Sequence, residues 1–412
     1  MNSKNVLNRS IIFWILITLS ICLFAGEPYV LMISFDGFRY DYDTKTDTPN
    51  LDYLRDHGTK AESIQPVFPS KTFPNHYALA TGAYAATNMI TANRFYDNKF
   101  KEVYKVGDNS KVRDAKWYKA EPIWATAERQ NVRSASYFWV GSEAPIKGYL
   151  PSIVKPYDHN FPFKARVDSV ISWFQLPEEK RPHLVMLYFH EPDSSGHRFG
   201  PESDGIIKVI EDMDELLGYI LTGIKELDIA DEINLVLVSD HGMTTISHDR
   251  ILYLDDLVPD MDVLSTYGGG PVLQIHLKEK DEALITEMDM QLKRAEHLTT
   301  YKTSEVPKRY HFVNRNTGDF VLVADEGWRI MTKSESTIVR MNGTHGYDPA
   351  VKNMHGIFYA MGPRIKSNYE IGTFENIHVY PLICELLGIK PYSDAPDAPQ
   401  GRLEILEETL VK

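Results

Sequence analysis

The chain has 412 residues, 43% of them hydrophobic, enough apolar material for one large α/β core or two medium ones. Its net charge of -13 excludes a binder of nucleic-acid backbone, whose phosphates demand clustered Lys and Arg. An acidic metalloenzyme acting on small anions stays compatible, because bound cations reverse the field locally.

In chain order, Lys4 and Arg9 precede an apolar run over residues 11–25 that ends in the small residues Ala25 and Gly26. That is the three-part pattern of a secretory signal peptide over residues 1–25, with a retained N-terminal anchor as the alternative reading. Cys22 follows Leu19, Ser20 and Ile21 and partly resembles a lipoprotein box, from which Ile21 departs. Cleavage leaves Cys384 as the only cysteine, so the exported chain relies on packing and metal rather than on an internal disulfide. Cys384 sits in the helix-like apolar stretch HVYPLICELLGI, where a buried, inert thiol is expected.

Residues 26–412 show no repeat and no composition shift, and they are read as a single domain. Tyr29–Phe35, Leu184–Phe189, Ile233–Val238 and residues 357–360 are short continuous apolar runs, the pattern of strands buried on both faces. Helical patterns lie between them at residues 121–130 and 204–227. The alternation predicts an α/β fold with a mostly parallel central sheet flanked by helices on both faces. Residues 266–344 are less regular, with YGGGP and NRNTGD turn chemistry, and predict a small irregular or antiparallel appendage.

The ends of these strands carry the chemistry. Asp36 follows the first run, Asp193 the second, and Asp240 with His241 the third, which places metal-type ligands on the carboxyl edge where open α/β sheets bind ligands. EPDSSGH spaces Asp193 and His197 four apart, and NMHG brings His355 just before the last run. Each residue alone has an ordinary explanation as a turn, a cap or a core hydrogen bond. Together they make three carboxylates and three imidazoles, a set that suits two catalytic ions, and the imidazole share points to zinc or another transition ion.

Within PSKTFPNHYALATG, Pro74 and the run to Thr81 read as a helix closing at Gly82, with Thr72 just ahead of its N-terminus. Free N–H groups and the positive end of the dipole there favour a phosphoryl anion. The plain alternative for Thr72 is an N-cap, contributing about 1 kcal/mol of stability. A threonine hydroxyl becomes a useful nucleophile only when a base or a metal stabilises its alkoxide.

LMISFDGFR, PVFPSKTFPNHYALATG, ANRFYD, KWYKAEPIWATAE, FHEPDSSGHRFGP, VSDHGM, HGYDPAVKNMHGIFYAMGP and HVYPLICELLGI stand in that order along nearly the whole chain. The ordered set resembles the nucleotide pyrophosphatase/phosphodiesterase family of the alkaline phosphatase superfamily, in its single-domain bacterial type. The resemblance implies an alkaline-phosphatase-like fold holding two Zn2+ ions. Asp193, His197 and His355 would ligate one, and Asp36, Asp240, His241 and the Thr72 hydroxyl the other. It implies that Thr72 is the nucleophile and forms a threonyl-phosphate intermediate. Asn93 of ANRFYD, with the Thr72 N–H, would bind a nonbridging oxygen. His345 in THGYD receives no ligand role on this reading and is expected to be supporting or structural.

Phe73 and Tyr157 resemble the family's nucleobase clamp, with core packing as their plain alternative. Lys71, Lys111 and Lys116 read as solvated surface lysines, with contact to the distal phosphates of a substrate as the alternative. The resemblance implies an exported, periplasmic or extracellular hydrolase that cleaves small-molecule nucleotides to nucleoside 5′-monophosphates. A choline-lipid phosphodiesterase, a phosphoethanolamine-type transferase and a non-enzymatic export protein are the rival readings. Membrane contact would come only through an uncleaved or lipidated N-terminus.

Overall fold

The computed structural model describes residues 28–258, 260–335 and 341–411, so the expected leader over residues 1–25 lies outside the described residues. Its frame is an eight-stranded sheet of β1 (Tyr29–Phe35), β2 (Thr59–Ala61), β3 (Ser134–Tyr137), β4 (Ile153–Lys155), β5 (Leu184–Phe189), β6 (Ile233–Val238), β7 (Phe358–Met361) and β8 (Tyr369–Ile371). Across the sheet the order is β8-β2-β7-β6-β1-β5-β3-β4. Five strands run parallel from β6 to β4, and β7 lies antiparallel between β6 and β2. The expected mostly parallel sheet is therefore present, and its last apolar run begins one residue later than predicted, at Phe358.

Every residue of β1 is buried, and successive side chains enter opposite layers. Val30 and Met32 pack with Leu79, Trp124 and Ile383, whereas Leu31 and Ile33 pack with Leu54, Ile210 and Leu217. A central strand read as continuously apolar is thus two half-strands facing two helical layers. One layer contains α2 (Thr72–Thr81), α3 (Ile123–Arg129) and α7 (Val379–Leu387); the other contains α1 (Pro49–His57), α4 (Phe163–Phe174) and α6 (Asp204–Lys225). The short helix α5 (Asp193–Phe199) lies at the sheet's carboxyl edge. In α6 the Ser203 hydroxyl accepts the Ile206 N–H, and Ile206, Ile210, Met213, Leu217 and Ile220 form the buried stripe. Each such side chain contributes about 1.5–3 kcal/mol when withdrawn from water.

The appendage is an antiparallel sheet of Leu264–Gly269, Val272–Leu277, Phe320–Ala324 and Leu298–Lys302 in that spatial order. Helix Glu282–Leu292 covers it, and Leu273, Ile275, Met288, Leu292, Phe320 and Leu322 give it a core of its own. The chain then returns to the main body through Gly343–Thr344, which pairs antiparallel with Thr244–Thr245. That pairing sets the residue after Thr344 beside the end of β6. Among the described residues no helix is long and apolar enough to cross a membrane.

Candidate active site

The register of the parallel strands explains why distant carboxylates meet. Phe35 lies opposite Phe189, and Ser34 opposite Val238, so the loops that follow β1, β5 and β6 leave the sheet side by side. Two backbone bonds then lock them: the Asp36 N–H donates to Phe189 O at 3.0 Å, and the Asp193 N–H to Asp36 O at 2.8 Å. The Gly37 N–H donates to Asp240 Oδ1 at 3.1 Å. Gly37 has φ +68, and a Cβ there would stand 2.8 Å from Asp193 Cβ, so the turn needs glycine both for its backbone and for the close approach of α5.

Two groups of potential ligands result: Asp36, Asp240 and His241 in one, Asp193, His241 and His345 in the other. They share His241 and therefore abut. His241 Nε2 is 3.1 Å from Asp240 Oδ2 and 3.5 Å from Asp36 Oδ1; His345 Nε2 and His197 Nε2 are each 3.5 Å from Asp193 Oδ1. The three rings are fixed from behind. Nδ1 of His241 faces Gly242 O at 2.8 Å, that of His345 faces Ser70 O at 2.8 Å, and that of His197 faces Gly343 O at 2.9 Å. A carbonyl only accepts, so each Nδ1 carries the proton and each Nε2 presents a lone pair to the carboxylates. This is the tautomer that metal-binding histidines adopt.

His355, read from sequence as a ligand, is not brought into either group. Its Nε2 lies 3.0 Å from Pro349 O and its Nδ1 2.9 Å from the Ser63 hydroxyl. The carbonyl requires Nε2–H, and Nδ1 accepts from Ser63, so neither nitrogen is left for a metal. The third imidazole is His345, which the sequence reading had set aside. The signal was present in THGYD, but only the pairing of residues 343–344 with residues 244–245 reveals which histidine arrives.

The carboxylates present oxygens that no protein donor among the described residues satisfies. Asp36 Oδ1, Asp193 Oδ1 and Asp240 Oδ2 are buried without a hydrogen-bond partner. The Tyr188 hydroxyl donates to Asp36 Oδ2 at 2.6 Å and leaves Oδ1 turned toward His241. Burial first, then repulsion by Asp240 and Asp193, pushes the Asp36 carboxyl well above the ordinary carboxylate range, and burial does the same to Asp240. Burial also holds His241 and His345 well below the usual imidazole range, in the neutral form that ligates. Orphaned carboxylate oxygens facing neutral, oriented imidazoles fit divalent transition ions, by donor chemistry and by charge.

Thr72 is the first residue of α2 rather than the residue before it, with Lys71 as the N-cap. Pro74 takes the third helical position, where its missing N–H has no intrahelical partner to lose. Thr72 Oγ1 lies 3.3 Å from His241 Nε2. His76, a buried histidine one turn on, lies 3.0 Å from Thr72 O through Nδ1 and 2.8 Å from the Ser34 hydroxyl through Nε2, tying the first turn of α2 to β1. Sequence reasoning gave no role to His76 or to Tyr188. The Phe73 N–H donates to Asn93 Oδ1 at 3.1 Å, which turns the amide NH2 of Asn93 outward as a donor.

Beside Thr72 opens a cleft of about 420 Å³ lined by Phe73, Asn93, Tyr157, Tyr188 and Asp193 among others. Tyr157 is 47% exposed, so its alternative as a core residue is excluded, and Phe73 is half-buried against Tyr104. Lys111 and Lys116 do not face the cleft freely, since both pair with Glu102, at 2.5 Å and 2.9 Å. Cys384 is buried and free, and burial raises its thiol well above the ordinary range, as an inert cysteine requires.

Fold and site together define an alkaline-phosphatase-like α/β protein in which Thr72, at a helix N-terminus, stands against a two-lobed Asp/His cluster. Residues 30–348 match the family described as type I phosphodiesterase / nucleotide pyrophosphatase, and the chain belongs to that family. A venom phosphodiesterase of Naja atra is 39% identical over 377 residues, 89% of this chain and 45% of that one. Ectonucleotide pyrophosphatase/phosphodiesterase family member 1 of Rattus norvegicus is 37% identical over 375 residues, 89% of this chain and 41% of that one. The chain thus spans about half the length of these curated relatives. Human ectonucleotide pyrophosphatase/phosphodiesterase 5 superposes with a TM-score of 0.87 at 33% identity, over 93% of this chain and 100% of that one. The murine protein, solved as an inactive T72A form in complex with AMP, superposes equally well at 34% identity. These relatives are animal proteins, and a bacterial type remains an expectation.

Proposed function

We propose that this chain is an exported two-zinc phosphodiesterase and nucleotide pyrophosphatase that releases nucleoside 5′-monophosphates through a Thr72 phosphate ester. The observation that carries the reading is the position of Thr72 Oγ1, at a helix N-terminus and 3.3 Å from the imidazole shared by both Asp/His groups. Asp36, Asp240, His241 and Thr72 would hold one ion, and Asp193, His197 and His345 the other. Ions held there would supply Lewis acidity to the reaction. Thr72 Oγ attacks phosphorus in line and the alcohol or phosphate departs; water then cleaves the Thr72 ester. The Asn93 amide and the Thr72 N–H bind a nonbridging oxygen, a donor role worth about 3 kcal/mol in the transition state. Phe73 and Tyr157 stack the nucleobase, at about 1–3 kcal/mol per base.

Residues 26–412 would form the catalytic domain, reached after removal of a leader over residues 1–25. Support for a nucleotide substrate comes from the AMP-bound relative, and support for export from relatives described as venom and ecto-enzymes. Thr72→Ala is expected to lower hydrolysis of a nucleoside monophosphate nitrophenyl ester at least about a thousandfold, the order seen when a covalent nucleophile is removed, with metal content retained. Unchanged turnover in that variant would refute the mechanism. Faster cleavage of glycerophosphocholine than of ATP by the wild type would move the substrate to choline lipids.

A further inference from the structure

Arg329 is a buried arginine without a counter-ion among the described residues. It is 4% exposed, its Nε has no hydrogen-bond partner, and among the described residues its guanidinium pairs with no carboxylate. Burying a guanidinium costs several kcal/mol unless hydrogen bonds replace its water, so such a group marks the place of a partner.

The pocket that Arg329 lines has a volume of about 360 Å³, with Arg94, Gly268, Gly269, Gly270 and apolar side chains as its other walls. Arg94 donates to Thr266 O at 2.8 Å and lies over the Tyr267 ring, which fixes its guanidinium at the pocket's edge. Among the described residues Glu335 is the one carboxylate that lines the pocket, and its Oε2 accepts the Thr332 N–H at 2.9 Å.

Through an intermediate hollow, this pocket neighbours the cleft beside Thr72. Arg94, Gly268 and Gly269 also line a second hollow whose remaining walls include Lys71, Lys105 and Asn93. Asn93, Val106 and Gly107 in turn border the cleft beside Thr72. Gly270 joins the two ends physically. Its carbonyl accepts the N–H of Ile330, the residue after Arg329, and Lys71 Nζ lies 3.4 Å from where a Gly270 Cβ would be. Neighbouring hollows therefore lead from the Thr72 cleft, by Lys71, Lys105 and Arg94, to Arg329.

We infer that the Arg329 pocket is a leaving-group site that binds the distal phosphate of a polyphosphate-linked leaving group. The inference rests on the proposed phosphodiesterase reading and assigns the far side of that same site. A buried guanidinium presents its N–H fork to phosphate oxygens, and the apolar walls raise the strength of those bonds. Length of the leaving group would then decide preference: substrates with several phosphates beyond the attacked one reach Arg329, and an aryl leaving group does not.

Diadenosine tetraphosphate, the nitrophenyl ester of thymidine monophosphate and inorganic tripolyphosphate separate the possibilities. In Arg329→Gln, the ratio of kcat/KM for the tetraphosphate over the nitrophenyl ester is expected to fall about tenfold or more, through KM, as loss of a charge-assisted bond predicts. Inhibition by tripolyphosphate is expected to weaken by about the same factor. An unchanged ratio, or undiminished tripolyphosphate inhibition, would overturn the assignment. Should Arg329→Gln fail to fold, Arg329→Lys, which keeps charge but loses the planar fork, provides the same comparison. If the wild type hydrolyses neither ester, the phosphodiesterase reading fails on its own. Calorimetric titration with tripolyphosphate then still decides the pocket: wild-type binding that Arg329→Gln weakens supports it, and equal or absent binding overturns it.

Discussion

An imidazole serves as a metal ligand only if one ring nitrogen keeps its lone pair, and that requirement separates two histidines that look alike in sequence. His345 and His355 both precede glycine and lie ten positions apart. His345 gives Nδ1–H to Ser70 O and aims Nε2 at Asp193, whereas His355 uses both nitrogens on Pro349 O and the Ser63 hydroxyl. His345→Ala is expected to lower metal affinity and activity about 10- to 100-fold or more, the effect of disturbing a ligand sphere, as measured by chelator competition. His355→Ala should keep its metal and lose stability instead, about 1–3 kcal/mol, because Ser63 and Pro349 O are left without their partner. The reverse pattern would restore His355 to the cluster. Asp36, Asp193, Asp240 and His241 were legible because they closely follow recognisable strands, and His197 because it lies four residues after Asp193. The third imidazole was not, because its approach depends on a pairing across roughly a hundred residues that no local pattern encodes.

Elements were legible to the degree that their burial was uniform. β1, β5 and β6 match the predicted spans because a strand buried on both faces leaves an unbroken apolar run. α2 begins earlier than Pro74 suggested, since the first helical turn has no N–H to lose to a proline. The turn after β1 is the element on which the site most depends. Gly37→Ala would place a side chain at φ +68, costing about 1–3 kcal/mol, and drive its Cβ into Asp193 Cβ at 2.8 Å. Both a lower melting temperature and weaker metal retention are expected; retention of both would show that α5 can withdraw without consequence. At the start of α7, His378 Nδ1 accepts the Arg402 N–H at 3.0 Å and fastens the C-terminal segment. Burial, aided by the Arg402 charge, lowers its pKa to about 4. Between that value and the unfolded imidazole's ordinary pKa of about 6.5 the unfolded chain binds more protons, so this contribution is complete above that range and is lost as pH falls through it. Denaturant titrations at pH 7.5 and pH 5 should therefore show a smaller difference for His378→Gln than for the wild type. An equal difference would mean that His378 does not carry the linkage.

At the scale of the molecule, two helical layers close over a sheet whose carboxyl edge gathers Asp36, Asp193 and Asp240. The sequence revealed those layers and that edge, but not what the appendage does. Its strands bury a separate core, and its glycine hairpin meets Lys71 and Arg94 only in three dimensions. On the proposed two-zinc reading, the gathered carboxylates would make the fold's stability depend on cations. Three buried oxygens without partners are a cost that packing alone does not offset, and a bound divalent ion removes it by binding the folded state. By mass action, free metal a hundredfold above its Kd adds about 2.7 kcal/mol per site to the folded state, provided the unfolded chain binds weakly. The protein stripped by chelator should accordingly melt at a lower temperature than the metal-loaded form. Re-addition of zinc should restore the higher value, with the melting temperature rising with the logarithm of free zinc. Loss of metal shown by elemental analysis, with no change in melting temperature, would mean that the carboxylates find protons or water as adequate partners and that the ions serve chemistry alone.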